Sequence, residues 1–346
     1  MTLEQGNADL EVIDGQAQAM FAQPAWHQLG NVVGDNFGWL EAVAAGLTIT
    51  LPVEKRALGE LLSSAVRING NTLKAHDDEH AMVRSDGQVL KAGGGAQVTV
   101  FHAEEGYNFG QCIREQAQVD GIAADLRSLG TIDKGRKWFM TFDLGKFQIG
   151  EYDITDYLSV NGSYDSSWPL QVLSSPIVEV CANTVAMAKR AGITHYRFKH
   201  TSGIFDRVEE AKRALIAHKA NREAFQKLGN ELLEVKVSPQ RYAAIVGALF
   251  PVNDDVPTKT RNVNAEATQK VAALYTGEVG PNVVQGVEGT GWAVVQAVNT
   301  YENWGSPIRK TGYGEATTRA LRQVEALNSG KQPLTNDAIE LVLAGV

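Results

Sequence analysis

The sequence predicts an α+β protein, with an antiparallel, strand-rich N-terminal half followed by a mainly helical C-terminal half and a strand-to-helix junction near residue 180. Three observations predict it. Between about residues 70 and 180, short apolar runs with alternating polarity are broken by Asn, Asp and Gly, as antiparallel hairpins require. From Phe205 onward, apolar residues recur at helical spacing. Strands come first and helices afterwards, whereas a doubly wound sheet would alternate them.

Taken in order, NTLKAH, HAMVR and QVLKA read as short strands separated by polar turns such as Ser85-Asp86-Gly87. AQVTVFHA alternates and reads as another, and a helix is expected around residues 107–118. KWFMTFDLG and KFQIGEYDI flank a compact turn expected at Gly145-Lys146, and YLSVNGSYD then meets WPLQVLSSPIVEV. CANTVAMAKRAG reads as a helix entered directly from a strand, with Gly192 as its stop. ITHYRFKH returns to strand alternation. A long amphipathic helix runs from Phe205 to about 235, with Val208, Ala211, Leu215, His218, Phe225, Leu228 and Leu232 on one stripe. Further helices are expected from Pro239 to Phe250 and over about 264–276, 290–303, 313–328 and 335–344. Two regions follow, 1–204 and 205–346, as separate domains or packed as one, with the polar, proline-containing stretch 251–262 as linker candidate.

The totals describe a folded globular chain: 346 residues, 44% hydrophobic and 21% charged. No window reaches the roughly 18 apolar residues of a membrane span. The opening MTLEQGNADLEVIDGQAQAM is acidic and lacks the basic start and apolar run of a secretion signal, so a cytoplasmic location is expected. Two cysteines, Cys112 and Cys181, make no disulfide framework and read as small buried hydrophobes.

A net charge of -8 argues against a chain coated in nucleic acid, but binding responds to the local field. That field is uneven. Residues 1–60 carry eight acids against Lys55 and Arg56 alone. The stretch 189–222 carries Lys189, Arg190, Arg197, Lys199, Arg207, Lys212, Arg213, Lys219 and Arg222 against Asp206, Glu209 and Glu210. It reads either as a solvated face of mixed sign or as a phosphate-tracking surface.

Few motifs carry chemistry. His76-Asp77-Asp78-Glu79-His80 matches H-x-x-E-H, but that chemistry needs both histidines on one helix face, and here the pentad sits between strands as an acidic turn. Gly93-Gly94-Gly95 and Gly135-Arg136-Lys137 lack the Gly-Lys-Ser/Thr ending and the following helix of a phosphate loop. Trp26-His27 reads as an anchored aromatic beside a turn. At Cys181-Ala182-Asn183-Thr184 a strand gives way to a helix, leaving backbone N–H groups without intrahelical partners. Asn183 or Thr184 caps them, or the same geometry holds an anion. Lys189, Arg190, Arg197 and Lys199 follow closely, and strand alternation separates Arg197 and Lys199 from Tyr196 and Phe198. No catalytic residue, metal ligand set or cofactor motif emerges, and His27, His200 and the His76/His80 pair remain the histidines a cryptic metal site would use.

Several segments also carry a family resemblance: AWHQLG, AMVRSDGQVL, YLSVNGSYDSSWPLQVLSSPIVEVCANTVAMA, YRFKHTSGIFDRVEEA and GTGWAVVQAVNTYENW, in that order over most of the chain. Together they resemble the phage/plasmid-like proteins grouped as domain of unknown function 932. The chain departs from that pattern at Tyr164-Asp165-Ser166-Ser167, where His-Asp-Gly-Ser is usual, and at Glu179, where arginine is common. The resemblance implies a bacteriophage or plasmid protein acting in a bacterial host cell and no settled activity. Such proteins lie among replication and recombination genes, and the outline is similar to phage single-strand annealing proteins.

The expected function is therefore a non-enzymatic, oligomeric DNA-binding protein that handles single-stranded DNA in recombination or replication. Its candidate contacts are Asn183, Thr184, Lys189, Arg190, Arg197, Lys199 and Arg207. The alternative is an interaction protein that engages a host or phage protein, such as a defence component, without nucleic acid. Neither reading involves a membrane, a metal or a cofactor.

Overall fold

The computed structural model describes residues 10–22, 31–34, 37–63, 67–68, 71–72, 78–94, 99–178, 196–198, 207–279, 286–308 and 332–345. The first part holds strands β1 (Val12–Ile13), β2 (Gln16–Ala17), β3 (Ala19–Phe21) and β4 (Asn31–Val32), then helix α1 (Trp39–Ala44). β5 (Val53–Ala57), α2 (Leu58–Ser63), β6 (Arg67–Ile68), β7 (Asn71–Thr72), β8 (His80–Arg84) and β9 (Val89–Lys91) follow. Helix α3 (Ala103–Val119) precedes the main strands β10 (Asp125–Ile132), β11 (Lys137–Ile149), β12 (Tyr152–Ser163), β13 (Leu170–Val178) and β14 (Tyr196–Phe198). The helical part comprises α4 (Arg207–Glu234), α5 (Pro239–Leu249), α6 (Thr258–Tyr275), α7 (Gly291–Thr300) with a π-helical turn at Tyr301–Gly305, and α8 (Pro333–Ala344).

The expected α+β architecture holds. Seven strands form one sheet in the order β14-β13-β12-β11-β10-β3-β4, antiparallel except for the β3–β4 pair. β5, β8 and β9 form a smaller antiparallel sheet.

Helices α3 and α4 cover one face of the large sheet. Even-numbered residues of β11, from Trp138 to Leu144, point into the first core with Phe109 and Ile113 of α3 and Leu215 of α4. The close approach of α3 depends on two glycines one helical turn apart. A Cβ on Gly106 would stand 2.3 Å from the Trp138 ring, and one on Gly110 would stand 2.4 Å from the Phe142 ring. A second core gathers Phe147, Ile149 and Ile154 from the sheet with Phe225 and Leu232 of α4, Val271 of α6, Ile339 of α8 and the wholly buried helix α7. α4 thus contributes to both cores.

Several sequence expectations shift. Gly145-Lys146 is no hairpin turn: β11 runs through it to Ile149 with a register shift between Asp143 and Lys146. Gly145 adopts φ +89, and its N–H donates to Asp143 Oδ1 at 2.9 Å, so the glycine makes a bulge while the reversal falls at Gly150 and Glu151. Of AQVTVFHA, residues 99–102 form no strand, because helix α3 already starts at Ala103. There Glu105 Oε2 accepts from the His102 N–H, and the buried Tyr164 hydroxyl accepts from the Ala103 N–H. α6 begins at Thr258, just after Pro257, so the last residues of the 251–262 stretch are helical. The helices expected at 181–192 and 313–328 lie outside the described residues.

The buried carboxylates of Glu11 and Glu302 hold distant segments of the fold. Glu11 receives both terminal nitrogens of Arg84 at 3.0 and 2.9 Å, and hydroxyls of Thr48 and Thr131 at 2.6 and 2.9 Å. Asp86 also receives Arg84, at 2.8 Å at its shortest. Arg84 is only 2% exposed. Burial alone would lower its guanidinium pKa, but the carboxylates of Asp86 and Glu11 reverse the direction and raise it. In the helical part, the buried Glu302 accepts from the Leu334 N–H, the Thr335 N–H and the Thr335 hydroxyl at 3.2, 2.9 and 2.7 Å, capping the first turn of α8.

Two outcomes are expected. Gly106→Ala costs about 1–3 kcal/mol by overpacking against Trp138, whereas Gly59→Ala, in open space on α2, stabilises by about 0.5–1 kcal/mol; urea melts of the two variants decide. The hydrogen bond from Arg84 holds the Asp86 carboxyl below its ordinary range. Its stabilisation is therefore complete above the unfolded pKa, about 3.9, and is lost as pH falls through the lower folded value. Asp86→Asn should lower stability at pH 7 and leave a shallower loss below pH about 4; parallel acid limbs for the two proteins would refute this.

Candidate nucleic-acid interface

The face of the large sheet turned away from α3 and α4 is polar, and strand alternation dictates which residues reach it. On β12, Ile154, Leu158 and Val160 enter the cores, so Thr155, Tyr157, Ser159 and Asn161 occupy the opposite face. On β11 the same rule brings out Phe139, Thr141 and Asp143. Register lines these up: Asp143 with Tyr157, Thr141 with Ser159, and Phe139 with Asn161, Gln171 and Arg197 in one row across four strands.

Phe139, Thr141, Asp143, Tyr157 and Ser159 are all half-buried. The Ser159 hydroxyl donates to the Met140 carbonyl at 3.1 Å. The Tyr157 hydroxyl hydrogen-bonds the side chains of Arg127 and Thr155; burial first, and the Asp143 carboxylate second, raise its pKa, so it stays a neutral phenol at physiological pH. Asn161 is buried, and its Oδ1 has no hydrogen-bond partner among the described residues. At one end Phe139 packs on a small apolar cluster of Leu10, Ala19, Phe21, Ile132 and Trp168. Lys137 lies 5.0 Å from the centre of the Trp168 ring and 2.8 Å from Asp133. The face therefore offers half-buried aromatic rings and hydroxyls with charges of both signs, while the Asn161 and Gln171 carboxamides are buried.

Of the residues singled out in the sequence, Arg197 is the middle residue of β14 and Arg207 the first residue of α4. Asn183, Thr184, Lys189, Arg190 and Lys199 lie outside the described residues, as do His27, His76, His200 and Cys181. His80 heads β8, with Nδ1 3.0 Å from the Asp78 carbonyl. No group of three metal-ligating side chains occurs among the described residues. Lys219 and Arg222 of the basic stretch have acidic neighbours within the chain. Lys219 reaches Asp120 of the loop after α3 at 2.6 Å, and Arg222 stands 3.7 Å from Asp156 and over the Phe147 ring. The charge those two offer a ligand is correspondingly reduced.

The Asp156 contact belongs to a feature that motif searching misses. His218 sits on the buried stripe of α4, where a leucine would be ordinary, and its Nε2 is 2.9 Å from Asp156 Oδ2. The two residues are 3% and 1% exposed. A titratable side chain on an apolar stripe requires a partner, and that requirement is the signal the sequence offers. Buried this deeply, the pair fastens α4 to β12. His218→Leu should cost about 3–5 kcal/mol by stranding Asp156, and adding Asp156→Leu should restore most of that loss. Denaturant melts of the single and double variants test this; a double variant as unstable as the summed singles would refute the tie.

No helix among the described residues is long and apolar enough to cross a membrane. No curated protein and no solved structure matches the chain. The family model described as Domain of unknown function (DUF932) matches residues 105–325, a span that takes in most of α3, the main sheet strands from β10 to β14, and the helices through α7. The chain belongs to this DUF932 family.

Proposed function

We propose that the protein binds single-stranded DNA without catalysing a reaction, as a homo-oligomer serving recombination or replication of a mobile element. The supporting observation is the register of β14. This described piece of the basic stretch adds to the edge of the large sheet and aligns Arg197 with Gln171, Asn161 and Phe139. In this reading the bases meet the polar face, where Phe139 and Tyr157 supply ring surfaces and Thr141 and Ser159 supply hydroxyls. Lys189, Arg190, Arg197, Lys199 and Arg207 contact phosphates, and backbone donors near Asn183 and Thr184 hold a phosphate oxygen. Repetition of the basic segment around an oligomer supplies by avidity what one subunit with a net charge of -8 lacks.

Fluorescence anisotropy with a labelled oligonucleotide tests this. Binding should weaken steeply with salt. Arg197→Ala with Lys199→Ala should reduce the slope of log K against log[salt] by about 1–1.5, because each phosphate neutralised on a single strand adds roughly 0.7 to it. Tyr157→Ala should weaken binding by about 1–3 kcal/mol with little change in that slope. Circular dichroism of each variant separates lost binding from lost folding. Absence of salt-dependent binding at low ionic strength overturns the proposal.

A further inference from the structure

No further inference is drawn: the strongest candidate, the open groove of about 580 Å³ along β5 that is lined by Glu54, Lys55, Arg56, His80 and His102, carries charges of both signs, and nothing in the structure shows what covers it.

Discussion

The bulge in β11 is the constraint that most of this architecture depends on. Before it, Trp138, Met140, Phe142 and Leu144 point to the helices; after it, Phe147 and Ile149 do. An unbroken strand would keep the even-numbered phase and send Lys146 and Gln148 into the second core instead. The extra residue reverses the phase on β11 alone, since β12 keeps Ile154, Asp156, Leu158 and Val160 in one phase throughout. One long sheet can thereby serve two cores that meet where its ladder is interrupted. Asp156 sits at that interruption, between Tyr157, paired with Asp143, and Thr155, paired with Lys146.

α4 has to answer the same division from the helix side. Ala214 and Leu215 close the first core, and Phe225, Leu228 and Leu232 close the second. Between them lies a polar interval of His218, Asn221 and Arg222, of which His218 and Arg222 face Asp156. The helix is apolar where the sheet is regular and polar where the sheet bulges. A buried polar pair of this kind is weak evidence for net stability but strong evidence for alignment, since any slip of α4 along the sheet would separate the partners. Glu11 and Glu302 follow the same logic elsewhere, each joining segments well separated in sequence through several donors to one carboxylate.

How much of this is legible in the sequence follows from the range of each signal. Alternation locates β8, β9 and β14, and helical spacing locates α4 from a stripe whose Leu215, Phe225, Leu228 and Leu232 are all buried. The bulge reads as a turn because a glycine between two alternating runs looks alike in a hairpin and in a phase-reversing bulge; only partner register tells them apart. Asp156 is invisible along the chain because its need for His218 spans 62 positions. The polar sheet face escapes notice for a similar reason. Thr141, Ser159 and Asn161 look ordinary along the chain and become a surface only when β11 and β12 pair. The basic stretch, by contrast, is a local excess of one charge and can be counted directly.

These two kinds of signal also divide the work of the proposed interface. The sheet face carries Arg127 and Lys137 but also Asp143 and Asp133, so its field largely cancels at the distance of a nucleic-acid backbone. Such a surface selects by shape and hydrogen bonding. Attraction must come from a region of unbalanced charge, and at about 0.1 M salt that region acts only within about 10 Å. In the proposed interface the basic stretch has to lie beside the neutral face for either to be useful; of that stretch, β14 pairs with β13 in the large sheet. An acidic chain can then hold a polyanion without a basic surface overall, provided that cations at the sheet edge bring the strand in and neutral groups on the face retain it.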